Sequence, residues 1–136
     1  MKKVIVDVHY SGGNYSAHIP ILPGVVVTGD SITEIEGQMK EALPFHLDGQ
    51  RGTGGDIPEV FNGNYELVFQ FPADVLLDYY SGIFTKAALS RLTGINERQL
   101  WHYAAGKSRP RPAQNKRIEE GLHRLGRELL SLSLQK

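Results

Sequence analysis

The sequence predicts an α+β chain, with a small β-β-β-α-β domain followed by an all-α domain. Three observations carry this reading. Apolar and polar residues alternate over "KKVIVDVHY", over "YSAHI" and again over "YELVFQF". Between the second and third of these lies an acidic stretch whose apolar residues recur every three or four positions, the period of a helix with one buried face. Beyond Pro72 the alternation stops, and short helix-forming segments separated by glycine take over.

Each element has a local reason. Alternation puts every second side chain on the same face of a strand, and "SGGN" offers the glycines of a tight turn, so residues 3–19 read as a hairpin. "VVVTG" supplies a third strand after "PILPG". Ser31 and Glu34 have capping-box spacing, in which the serine accepts a backbone N–H and the glutamate reaches back to the cap residue. The helix that follows carries Ile32, Ile35, Met39, Ala42, Leu43 and His46 on one stripe, facing the sheet, and acidic residues on the other side. Glycine and proline in "DGQRGTGGDIPEVFNGN" predict a long mobile loop over 48–64. "YELVFQF" then gives the fourth strand and closes a first domain of residues 1–71. A short helix, "ADVLLDYYS", opens a second domain of residues 73–136.

With 136 residues, 40% of them hydrophobic, the chain has enough apolar material for one ordinary core or two small ones. There is no cysteine, which excludes disulfides and thiolate metal sites. No long apolar run or signal-peptide core interrupts the pattern, so a cytoplasmic protein without a membrane partner is expected. The net charge of zero hides a division: residues 1–83 hold 4 Lys and Arg against 11 Asp and Glu, and residues 84–136 hold 11 against 4. Such halves either meet different partners or attract one another within the molecule or between copies.

The basic half contains the most informative stretch, "TKAALSRLTGINERQLWHYAAGKSRPR". Thr85 is placed to cap one helix, Gly94 to end it, Asn96 to cap a second, and Gly106 to end that one. Leu89, Leu92, Ile95, Leu100 and Tyr103 form a shared core, with Ser90 small enough for close helix contact. Glu97, Arg98, Gln99, Trp101 and His102 are left outside. Arginine and glutamine pair with the edges of guanine and adenine, while Lys107, Arg109 and Arg111 suit phosphates. Two short helices across a tight turn, with this surface, read as a helix-turn-helix.

This segment, about a fifth of the chain, resembles the helix-turn-helix of phage-repressor (Cro/Xre-type) domains. In the first half, "YSAHIPILPGVVVTGDSITEIEGQMKEALPFHL" is similar to HicB antitoxins, with their strand, P-x-L-P-G, strand, G-D-S/T and amphipathic helix. Together the halves resemble the HicB subclass with a C-terminal DNA-binding domain. The resemblance implies a degenerate RNase H-like first domain that covers a small RNA-cleaving toxin of the HicA type. It also implies a second domain that binds double-stranded operator DNA and represses the operon. By position, Thr85 and Lys86 would lie near phosphate; Glu97, Arg98, Gln99 and His102 would approach bases; and Asn96, Lys107 and Arg109 complete the DNA-binding set. Glu97 and Trp101 depart from the family pattern, where a neutral amide and a smaller polar residue are common. Glu97 either accepts from cytosine N4 or pairs with Arg98 or Lys86.

Two rival classes have sequence counterparts. A nuclease of RNase H type needs several carboxylates converging on metal ions, and Asp7 with Glu34, Glu36 or Glu41 is the set available, Glu66 adding little. Acidic residues on a solvated helix face are the commoner meaning of that pattern, so neither catalysis nor a cofactor is expected. Histidines 9, 18, 46, 102 and 123 show no metal-ligand spacing, so no metal is expected. The other rival is a transcriptional repressor whose first domain senses a small molecule. Toward the C-terminus, Ile118, Leu122, Leu125, Leu129 and Leu132 form a helical stripe whose first half packs on the helix-turn-helix core, with Leu130, Leu132 and Leu134 past any such small core. A homodimer or higher homo-oligomer is expected there, since two copies suit two DNA half-sites.

Overall fold

The strand that opens the chain organises the first half of the molecule. In the computed structural model, which describes residues 1–136, β1 (Lys2–Ser11) buries Val4, Val6 and Val8 on one face. It turns through Gly12 and Gly13, at φ 62° and 80°, into β2 (Asn14–His18). Ser11 pairs with Asn14 across this turn, and a two-residue hairpin loop of that twist requires positive φ at both central positions. β3 (Val26–Gly29) adds antiparallel to β2, and α1 (Ile32–Gly52) carries the chain back to β4 (Tyr65–Gln70), parallel to β1. The sheet order is β3-β2-β1-β4. α1 lays Ile35, Met39, Leu43 and Leu47 on the Val4, Val6 and Val8 face.

α1 begins as a variant of the expected capping box. Ser31 Oγ accepts from the Glu34 N–H at 3.1 Å, but Glu34 Oε2 accepts from Asp30 N–H at 3.0 Å, one residue before the cap. Gly29 permits this, because the Glu34 chain lies so close that a Cβ there would meet Glu34 Cγ and Cδ at 3.1 Å.

The expected loop over 48–64 is corrected at both ends. α1 continues through Gly52, where Thr53, Gly54 and Gly55 close it with backbone bonds to Gly49, Arg51 and Gln50 carbonyls. A 3-10 turn, Glu59–Asn62, occupies part of the rest and buries Phe61 edge-on against Tyr65, with ring centroids 5.2 Å apart. Tertiary contacts outweigh propensity here. Each internal glycine costs a helix about 1 kcal/mol relative to alanine, but Leu47 extends the buried stripe and Arg51 Nη2 donates to Phe61 O at 3.1 Å.

The whole chain is thus mixed α+β, with one four-stranded mixed sheet and five α-helices. Its contacts divide it into two compact units, Met1–Pro72 and Ala73–Lys136. No helix is long and apolar enough to cross a membrane.

The second unit is helical. It contains α2 (Ala73–Tyr79), a 3-10 turn over Tyr80–Gly82, α3 (Lys86–Thr93), α4 (Glu97–Ala104) and α5 (Pro112–Leu130). Its core joins Leu77, Leu89, Ile95, Leu100, Tyr103 and Ile118, one or more from each helix and from the α3–α4 turn. α5 meets the end of α3 at Gly121, where a Cβ would stand 3.0 Å from Leu92 O. That close approach lets Arg124 Nη2 donate to Leu92 O at 2.7 Å, completing a carbonyl left over at the helix end. The apolar stripe of α5 leaves the core after its first half, as expected: Leu122 and Leu125 are half-buried and Leu129 is exposed, while the helix itself ends at Leu130, short of Leu132. The short core of the second unit runs out there, so Leu129, Leu130, Leu132 and Leu134 all face solvent.

Candidate nucleic-acid interface

α3 and α4 are defined by their caps. Thr85 Oγ1 accepts from the Ala88 N–H at 3.0 Å, and Asn96 Oδ1 accepts from the Gln99 N–H at 2.8 Å. Each cap satisfies a donor that the first helical turn leaves free. Between them Gly94 takes the left-handed conformation at φ 76° and donates to Ser90 O, which stops α3. Thr93 tightens the turn from inside: its Oγ1 donates to Leu89 O at 2.7 Å and accepts from the Ile95 N–H at 3.2 Å. α4 ends with Gly106 and Lys107 N–H groups on the Tyr103 and His102 carbonyls. The chain then leaves through Lys107, Ser108, Arg109 and Arg111 to Pro112 at the head of α5.

Leu100 and Tyr103 point α4 into the core, which fixes what the opposite side shows. Glu97, Arg98 and Trp101 are exposed, and Trp101 keeps 59% of its surface. Residues three and four apart share a helix face, so Glu97, Arg98, Trp101 and His102 form one patch. Gln99 and His102 are half-buried at its margins. Lys107, Arg109 and Arg111 are exposed. The ion pairs of the molecule are Asp48–Arg51 and Lys116–Glu120, leaving Glu97 and Arg98 unpaired on the surface. Glu97 therefore pairs with neither Arg98 nor Lys86.

Four residues of the expected set have work inside the protein, Thr85 through the α3 cap. Lys86 is 6% exposed, and its ammonium sits 4.5 Å from the Trp101 ring centroid, a cation–π contact that joins the start of α3 to α4. Asn96 spends its carbonyl oxygen on the cap. Gln99 Nε2 donates to Ser108 Oγ at 3.1 Å, tying α4 to the basic segment. Lys86, expected near phosphate, thus holds Trp101 in place, and a free face remains in Glu97, Arg98 and Trp101. Sequence reading missed Ser108 and the Lys86–Trp101 pair, neither of which has a signal in local spacing.

In the first unit the carboxylates considered for metal chemistry are divided by the sheet. Asp7 and Glu66 alternate with the buried residues of β1 and β4 and so project from the side away from α1, whereas Glu34, Glu36 and Glu41 belong to α1. Nowhere do three His, Asp or Glu side chains gather to hold a metal ion. His9 and His18 stack on the outer side of the sheet, ring centroids 5.4 Å apart, with no third ligand. Comparison with protein-family models, with curated proteins and with solved structures returns no match for this chain.

Proposed function

We propose that this chain is an antitoxin that also represses its own operon. Residues 1–71 act as a degenerate RNase H-like domain that covers a HicA-type RNA-cleaving toxin, and residues 73–136 act as a helix-turn-helix that binds operator DNA as a homo-oligomer. The observation that carries the reading is the α3–α4 pair. Two capped helices of eight residues each meet at a left-handed glycine, and the second turns its uncommitted face outward. Arg98 on that face matches the bidentate demand of guanine, Glu97 the donor of cytosine N4, and Lys107, Arg109 and Arg111 the flanking phosphates. Charge supports the division of labour: residues 1–72 hold 4 Lys and Arg against 9 Asp and Glu, and residues 73–136 hold 11 against 6. A toxin that grips RNA is basic, so an acidic cover complements it without a catalytic group. The exposed Leu129, Leu130, Leu132 and Leu134 supply apolar surface for self-association.

A gel-shift on the DNA upstream of the protein's own operon tests this reading. Arg98→Ala is expected to cost about 1–3 kcal/mol on that DNA and much less on random DNA, while Lys107→Ala weakens both alike. Equal losses on the two DNAs for Arg98→Ala would reduce Arg98 to a phosphate contact. No shift of the operator by the folded protein at low salt would remove the repressor role.

A further inference from the structure

β4 ends the sheet, so one side of Tyr65–Gln70 has no neighbouring strand. Edge strands present unpaired N–H and C=O groups, and proteins guard them with lysine, proline, a bulge or a very short strand. β4 has none of these. Its sequence "YELVFQ" lacks lysine and proline, and its register with β1 runs unbroken from Lys2↔Tyr65 to Asp7↔Gln70. The opposite edge, β3, is guarded by its length of four residues.

Beside β4 lies an open groove of about 620 Å³, lined by Glu36, Lys40 and Pro44 of α1 and by Tyr65, Leu67 and Phe69 of β4. The three β4 side chains pack on the core yet stay half-buried, so they give the groove an apolar floor. Glu66 alternates with these three and projects from the opposite face of the same strand. A free edge beside an apolar groove is what an added strand needs: its backbone bonds to the edge and its alternate side chains enter the groove.

Charge decides the occupant. A second copy would bring together two units that each hold 4 Lys and Arg against 9 Asp and Glu, and they repel. A cationic chain is attracted by the same surplus. We propose that β4 accepts an extended segment of a cationic protein as a fifth strand, its apolar side chains in the α1–β4 groove and its Lys or Arg on the opposite face, against Glu66. This deepens the reading of residues 1–71 as a toxin cover and rests on it only for the partner's identity.

The test uses the full-length protein, isotope-labelled for NMR, and a short synthetic peptide alternating lysine and valine. Binding is expected to slow hydrogen exchange in β4 and leave β3 unchanged. Methylating alternate peptide nitrogens should abolish it, because that removes the donors and blocks the edge. Glu66 is exposed, so Glu66→Lys should fold normally while weakening the lysine peptide about tenfold, and it should admit a glutamate–valine peptide that the parent rejects. Undiminished binding of the methylated peptide, perturbation confined to residues 73–136, or no binding at all would each overturn the proposal. A second arm uses the complex with the basic protein of the adjacent reading frame. A stable complex without β4 protection sinks strand addition and leaves the toxin reading intact. β4 protection by the peptide with no affinity for that neighbour supports strand addition and sinks the toxin identity.

Discussion

Replacing Leu100 by alanine is expected to destabilise residues 73–136 by about 2–5 kcal/mol. Leu100 is fully buried, and with Leu77, Leu89, Ile95, Tyr103 and Ile118 it joins four helices in one small core. Removing three carbons there takes away transfer energy and leaves a cavity that capped, short helices cannot collapse to fill. A small unit has little stability to spare, so the loss is a large share of the total. Leu100→Met, which keeps the volume, should cost less than about 1.5 kcal/mol. Thermal denaturation of the 73–136 fragment followed by circular dichroism separates the two. An alanine variant that melts like the parent would mean that α4 is not anchored through Leu100, and the outward face of Arg98 and Trp101 would lose its basis.

DNA binding is expected to fall steeply with salt. Lys107, Arg109 and Arg111 are exposed beside α4 and hold no ion pair, so a dimer on DNA, as proposed, would bring six cations to phosphates. Each neutralised phosphate releases condensed counterions, and about six such contacts cost roughly a thousandfold in affinity between about 50 and 200 mM salt. Fluorescence anisotropy across that range gives the slope. Lys107→Ala should make it shallower by about two contacts per dimer, whereas Arg98→Ala, if it reads a base, should leave it nearly unchanged. A flat salt response would exclude a phosphate-gripping surface altogether.

What could be read from the sequence depended on how local the cause was. β1 and β2 alternate strictly, their turn residues are adjacent, and the Ser31, Thr85 and Asn96 caps each act on an N–H three residues on, so local spacing foretold all of them. The end of α1 was hidden because Gly49 and Gly52 argue against helix, while the compensating Arg51–Phe61 bond comes from ten residues away. The Lys86–Trp101 contact was hidden because nothing in the local spacing announces that the ammonium meets that ring. Gln99 looked free for the same reason, its partner Ser108 lying past the end of α4. The leucine pattern suggested a helix through Leu132, whereas α5 ends at Leu130; that Leu130, Leu132 and Leu134 lie past the core was legible, because so small a core cannot reach them. Arg98 and Glu97 were legible because the core residues of α4, Leu100 and Tyr103, fix the opposite face.

In the proposed function the two halves divide the labour, the acidic one covering a toxin and the basic one reading DNA. Co-expression of residues 1–71 alone with the basic protein encoded beside this chain tests it most directly. A cover acts by shape and charge, so the fragment is expected to restore growth and to retain the toxin in a pull-down at about 0.5 M salt, where screening shortens charge attraction to roughly 4 Å and an apolar contact persists. Loss of both rescue and retention by a fragment shown to be folded would move the toxin contact into residues 73–136 and contradict the division.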